Sequence, residues 1–225
     1  MQKAKESTEI LSQKNILQNA LDYIKEYFSN DHSGHDAQHT IRVYKLASRI
    51  AEQEAADLFL VQLAALLHDV DDRKLSPDTS AEKNNAVSFM KNQGIEDTVI
   101  RTVCTIIDEI SFAGEDSVTP QSIEGKCVQD ADRLDAIGAI GIARAFTYGG
   151  NHDRVLYDPQ EKPCLHMSKE EYHSHISTTI NHFYEKLFLL KDLMNTAAAK
   201  EIAEHRDQIM RDYIEEFLLE WDGIR

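Results

Sequence analysis

Cysteine is scarce in this chain of 225 residues, basic side chains are outnumbered, and no long apolar run is present. The three cysteines, Cys104, Cys127 and Cys164, form an odd set without CxxC spacing. That excludes a disulfide frame or a structural zinc knuckle and fits reduced thiols in a cytoplasm. No apolar stretch reaches the roughly 18 residues of a membrane span, and the opening residues MQKAKESTEI lack the apolar segment of a signal peptide. A soluble, cytoplasmic protein is therefore expected. Basic residues number 24 against 39 acidic ones, a net charge of −15. Such a surface repels polyanions, which excludes nucleic-acid polymers and anionic membranes as partners. A small anionic substrate stays admissible if a bound cation and a few local Arg and Lys side chains supply the missing positive field.

What is present is helical periodicity. The length allows one sizeable core, and there is no internal repeat, low-complexity tract or convincing strand. Ile10, Leu17, Leu21, Ile24 and Phe28 mark a first amphipathic helix, stopped by the turn-forming run Asn30 to Gly34. Asp36 caps a second, with Ile41, Val43, Leu46, Ala47 and Ile50 facing inward. A third runs from about Ala56 to Asp69. A fourth is expected to start at Asp78-Thr79-Ser80, with Thr79 and Glu82 at capping-box spacing, and to stop at Gly94. Val99, Ile100, Val103, Ile106, Ile107 and Ile110 define a fifth, closing at Ser111 to Gly114. Residues 123–148 read as mostly helical, and Gly138 and Gly141 within them imply the close approach of a neighbouring backbone or ligand. The segment from Gly149 to about Tyr172 is irregular, a candidate lid or arm. Two helices finish the chain, one through Ile176, Ile180, Phe183, Leu187, Leu190 and Leu193, and one through Ile202 to Trp221.

The polar residues of interest stand where these helices end. The run Ala64-Ala65-Leu66-Leu67 leads directly into His68-Asp69-Val70-Asp71-Asp72-Arg73-Lys74, so a buried face delivers an imidazole and three carboxylates to its own C-terminal end. The second and third helices are similar in length and joined by a short link, which sets them antiparallel and places His39 and His68 at the same end of the pair. With Asp132 of Asp130-Ala131-Asp132-Arg133-Leu134-Asp135 they form a set of two imidazoles and two carboxylates: His39, His68, Asp69 and Asp132. Asp130 and Asp135 compete for the place of Asp132. Such nitrogen and oxygen donors suit Mn²⁺, Mg²⁺, Fe²⁺, Ni²⁺ or Co²⁺, with Mn²⁺ favoured, and four protein ligands on an octahedral ion leave room for water and substrate. His35 and His39 are four residues apart and could both face one ion, although the intervening Glu of HExxH helices is only imitated by Asp36.

The series His39, His68-Asp69 and Ala131-Asp132-Arg133-Leu134, in that order on helices, resembles the HD-domain superfamily of metal-dependent phosphohydrolases. The likeness covers residues 15–150, and the helical run from His175 to Trp221 looks like the C-terminal part of a small stand-alone bacterial branch. It implies an all-α fold: a single HD-domain helical bundle with C-terminal helices packed on the core. Its parts would be an extension over 1–14, the HD core over 15–150, the loop or lid over 151–172, and C-terminal helices over 173–225. It favours Asp132 as the fourth metal ligand, leaving Asp130 and Asp135 as hydrogen-bonded supports. It also implies hydrolysis of phosphate esters or anhydrides, most often of nucleotides, by metal-activated water. Asp72 then reads as general base and Lys74 as a catalytic phosphate contact. Arg42, Arg133, Arg144, Lys186, His35 and Asp36 are the candidate substrate contacts. Within that class the compact architecture points to cleavage of nucleoside or deoxynucleoside triphosphates into monophosphate and pyrophosphate. A nucleotide monophosphatase, a cyclic-nucleotide phosphodiesterase and a non-catalytic nucleotide-binding module are the alternatives. A small nucleotide is the expected partner, and the protein should be a monomer or homodimer.

Simpler readings accompany several residues. Arg73 fits a charged loop, and His152, His166, His173 and His175 fit a solvated loop better than a second metal site, because their spacing is irregular. Tyr148, Tyr157 and Tyr172 could stack on a base or anchor the loop. Met90, Met194 and Met210 are core fillers.

Overall fold

A computed structural model describes residues 2–29, 36–71, 78–79, 81–110, 118–165, 167 and 175–225, and among them every regular element is helical. The fold class is all-α, as the periodicity predicts. No described helix is long and apolar enough to cross a membrane. The chain divides into two compact units, Met1–Ile110 with Pro120–Val128, and Ser111–Thr119 with Gln129–Arg225.

The first unit contains α1 (Gln2–Tyr27), α2 (Ala37–Gln53), α3 (Leu58–Leu67), α4 (Asn84–Asn92), α5 (Asp97–Ile110) and the start of α6 (Ile123–Asp135). Its centre is α3. The sequence LFLVQLAALL has almost no polar face, so this helix must be surrounded, and it packs against α1, α2 and α5. Leu63, Leu66 and Leu67 are fully buried, each contributing about 1.5–3 kcal/mol relative to exposure. Asp57 starts α3 by accepting from Leu60 N, and Asp36 starts α2 by accepting from His39 N. Both are short acidic side chains satisfying otherwise unpaired amide groups of a first turn.

The start of α4 departs from expectation. Thr79 does not begin it, and Ser80 lies outside the described residues; the helix begins at Asn84, after Lys83 in a left-handed conformation with φ +52° and without a side-chain cap. Its stop matches the sequence reading, with Gly94 at φ +71° just past the C-cap Gln93.

The second unit holds the rest of α6, then α7 (Gly138–Asn151), α8 (Thr179–Glu185), a 3₁₀ helix (Leu187–Leu193) and α9 (Ala197–Trp221). Residues 123–148 are therefore two helices, broken at Ala136-Ile137. Gly138 turns the chain with φ +75° in contact range of Arg206, where an added Cβ would stand 2.9 Å from Cγ. At Gly141 an added Cβ would meet the Ala136 carbonyl oxygen at 2.3 Å, the close backbone approach that the sequence implies. The expected helix through Ile176 to Leu193 is also divided. Ile176 lies outside it and is 80% exposed, and Lys186 breaks the α-helix with φ −138° and ψ −58°.

The described part of the irregular segment is tied down within this unit. Thr179 N and Ile180 N donate to the Val155 and Leu156 carbonyls, Asn181 Nδ2 to the Glu161 carbonyl, and Cys164 N to Glu185. Tyr157 packs edge-on against Phe217 and Trp221, the contact expected of a loop anchor. Tyr148 stacks on His152 with centroids 3.8 Å apart, and Tyr172 lies outside the described residues, as do His166 and His173.

Candidate metal centre

His39 stands in the first turn of α2 and His68 at the C-cap of α3, and the two rings meet edge to face with centroids 5.4 Å apart. The antiparallel pairing thus joins two residues distant in sequence. Asp69 completes a buried triplet whose ligand atoms all lie within 4.8 Å of one another. Its Oδ2 is 3.4 Å from His39 Nε2, and its Oδ1 is 3.3 Å from His68 Nε2.

The protonation pattern of His68 tests whether a cation fits. Its Nδ1 lies 2.9 Å from the Ala65 carbonyl oxygen, which can only accept, so Nδ1 carries the proton in the neutral ring. Nε2 then presents a lone pair towards the Asp69 carboxylate, itself an electron-pair donor. Two such donors face one another in a buried pocket without repulsion when a cation binds both or when Nε2 takes a second proton, and the first is what the added His39 donor suits. A ring nitrogen committed to a backbone carbonyl is also the usual way that a metal-ligating imidazole is oriented. The set His39, His68 and Asp69 therefore fits a divalent ion.

The backbone on both sides of the triplet is held. Asp36 accepts from His39 N at 2.7 Å, so this sequence-assigned substrate residue caps α2 and fixes the start of the His39 turn. Beyond Asp69, the Val70 carbonyl accepts from Tyr27 Oη at 2.9 Å and Asn85 Nδ2 at 3.0 Å. The Asp71 carboxylate accepts from Asn85 N at 3.1 Å and Ala86 N at 2.9 Å. The sequence reading singled out neither Asn85 nor Tyr27, and their neighbours in sequence carry no signal of this contact.

Arg42 is half-buried on α2. His35, Asp72 and Lys74, with Arg73, lie outside the described residues. Asp132 is half-buried in the last turn of α6, in the second unit. Its neighbours Asp130 and Asp135 are buried supports. Asp130 accepts from Asn195 and Thr196, and Asp135 pairs with Arg144 Nη1 at 2.7 Å. Arg133 donates from Nη1 to the Leu193 carbonyl, and burial holds its guanidinium below the usual range against the opposing pull of Asp130 and Asp132. Lys186 is half-buried at the break after α8. His175 pairs with Glu185 at 3.1 Å, and among the described residues no second group of metal-binding side chains appears.

The chain is all-α and carries at its helix ends a buried imidazole–imidazole–carboxylate triplet with the donors to hold a metal ion. The HD-domain family model matches residues 36–137, and this chain belongs to the HD-domain family. It is 40% identical to YpgQ of Bacillus subtilis over 209 residues, 90% of this chain and 92% of YpgQ. A solved structure from Lactobacillus plantarum superposes with a TM-score of 0.82 at 41% identity, covering 93% of this chain and 98% of that one. An HD-superfamily hydrolase from Bacillus thuringiensis gives a TM-score of 0.75 at 40% identity, with 93% and 98% covered. YpgQ itself has been solved in complex with ADP, and that structure matches with a TM-score of 0.73 at 38% identity over 92% of this chain and 95% of YpgQ.

Proposed function

We propose that this protein is a divalent-metal-dependent phosphohydrolase of small nucleotides in the cytoplasm, cleaving nucleoside or deoxynucleoside triphosphates into monophosphate and pyrophosphate. The observation that carries the reading is the buried His39–His68–Asp69 triplet, with the His68 proton committed to Ala65. Similarity to an HD-superfamily hydrolase supports the reaction class. The ADP bound by YpgQ supports the substrate class, since a diphosphate shares base, ribose and two phosphates with a triphosphate.

Asp132 is the proposed fourth ligand, on the strength of the motif, and Mn²⁺ the favoured ion. When bound, the ion supplies an acidified water and positive charge against the phosphoryl oxygens. Asp72 takes the proton from the attacking water and Lys74 contacts a phosphate. Arg42, Arg133, Arg144, Lys186, His35 and Asp36 are the proposed surroundings of the substrate.

A turnover screen of nucleoside mono-, di- and triphosphates and cyclic nucleotides with Mn²⁺, Mg²⁺, Ni²⁺ or Co²⁺ tests this, provided phosphate is resolved from pyrophosphate. Pyrophosphate from triphosphates, abolished in His68→Ala, is the expected result. Phosphate released from monophosphates would indicate a monophosphatase, and monophosphate formed from cyclic nucleotides without free phosphate a phosphodiesterase. Asp72→Ala should bind metal normally and lose about 10²–10⁴ in rate. The ADP complex of YpgQ also favours a second reading, a module that binds nucleotide without hydrolysing it. Nucleotide binding without turnover under every condition would select it.

A further inference from the structure

We infer that Asp71, with Asn85, is a positioning residue for the metal centre, coupling occupancy of the site to the docking of α4. The inference rests on the metal-centre reading above and concerns only residues of the first unit.

The starting observation is a helix without its own cap. Lys83 occupies the N-cap position of α4 in a left-handed conformation, and its ammonium is turned to Asp108. The amides of the first turn need acceptors from elsewhere. They find them in a carboxylate 14 residues upstream: Asp71 Oδ1 takes the Asn85 amide at 3.1 Å and Oδ2 the Ala86 amide at 2.9 Å. A buried carboxylate chelated by two backbone amides at the positive end of a helix is held in both position and orientation.

The second observation is that the same helix holds the peptide before Asp71. Asn85 Nδ2 donates to the Val70 carbonyl at 3.0 Å and also reaches Thr79 Oγ1 at 3.0 Å, while Tyr27 Oη donates to the same Val70 carbonyl at 2.9 Å. Four hydrogen bonds thus clamp the two residues that directly follow His68-Asp69. The α3 helix proper ends at Leu67, so helical hydrogen bonding alone does not fix the Asp69 backbone. The clamp does so, and with it the direction from which Asp69 reaches both imidazoles. Mutation of such supporting contacts typically weakens metal binding by about 10–100-fold. Coupling is reciprocal, so a bound ion should in turn steady the α4 N-terminus.

The test is a Mn²⁺ titration of the full chain by calorimetry, with thermal unfolding of each apo variant alongside. Asp71→Asn replaces one acceptor oxygen by an NH₂ facing an amide, and Asn85→Ala removes the side-chain contacts to Val70, Thr79 and Tyr27 while keeping the backbone amide that Asp71 accepts. Both should weaken Mn²⁺ by about 10–100-fold. Asp57→Ala removes a comparable cap at the opposite end of α3; it should lower the unfolding temperature yet leave Mn²⁺ affinity within about twofold. Should Asp71→Asn fail to fold, Asn85→Ala and hydrogen exchange on the wild type decide the matter. Mn²⁺ should slow exchange in a peptide covering Asn85 and Ala86. Asn85→Ala or Asp71→Asn with wild-type affinity, equal weakening in Asp57→Ala, or unchanged exchange would each overturn the positioning role. Wild-type protein that binds no Mn²⁺ would instead overturn the metal centre. Binding lost in His68→Ala but kept in Asp71→Asn would overturn the positioning role alone.

Discussion

Asp130 and Thr196, 66 residues apart, are joined twice: one carboxylate oxygen accepts from both the backbone amide and the hydroxyl of Thr196, each at 2.8 Å. The other oxygen takes Asn195 N and Nδ2 at 2.9 and 2.8 Å. Thr196 is itself the N-cap of α9. Asp130 is fully buried, so removing it strands several donors away from water. Asp130→Ala should therefore cost about 2–4 kcal/mol in urea unfolding. A loss below about 1 kcal/mol would show that this contact is not what holds α9 to α6.

Chelation and metal loading should move stability in opposite directions. With Mn²⁺ at 100 times its dissociation constant, an ion that binds only the folded chain adds about 2.7 kcal/mol. His39→Ala or His68→Ala should abolish that gain, because each removes a donor of the buried triplet. Differential scanning fluorimetry with and without chelator reads this directly, and an equal Mn²⁺ gain in His68→Ala would place the ion elsewhere.

Two glycines of α7 separate close approach from helix propensity. At Gly141 a Cβ would lie 2.3 Å from the Ala136 carbonyl oxygen, which is backbone and cannot swing aside, whereas at Gly150 nothing lies within 4 Å. Gly141→Ala should destabilise by about 1–3 kcal/mol. Gly150→Ala should be neutral or stabilise by up to about 1 kcal/mol. Equal effects in chemical denaturation would contradict this assignment.

His182, on α8, has its pKa pushed down from 6.5 to about 3, first by burial and then by the positive charges of Lys186 and Arg154. The folded chain therefore binds this proton less readily than the unfolded one. Its contribution to stability is fully present above about pH 6.5 and is lost progressively as pH falls towards 3, with a slope of up to about 1.4 kcal/mol per pH unit. His182→Gln should flatten the wild-type stability curve between pH 6.5 and 5, above the range where most carboxylates titrate. Parallel curves for the two proteins would show that His182 carries no such penalty.

Much of the first unit was legible along the chain because its signals are local. Asp36 lies one turn before the amide it caps, the apolar spacing of α2 and α5 shows which face is buried, and the short link between α2 and α3 brings His39 beside His68. The His68-Asp69 pair could be assigned for the same reason: the apolar run of α3 ends where the polar residues begin.

Other features depended on partners remote in sequence, and these only the tertiary structure decided. Thr79 and Glu82 have capping-box spacing, yet α4 starts later and takes its cap from Asp71. Residues 123–148 carry a continuous helical pattern, but the chain breaks at Ala136-Ile137 where Gly138 accommodates Arg206 and a positive φ. Arg133 and Arg144 look alike in the sequence, and only the fold shows that one donates to the Leu193 carbonyl and the other to the buried Asp135. Periodicity and local caps record interactions within a turn or two of chain. Which distant carbonyl or carboxylate satisfies a buried polar group depends on how the helices pack, and no local spacing encodes it.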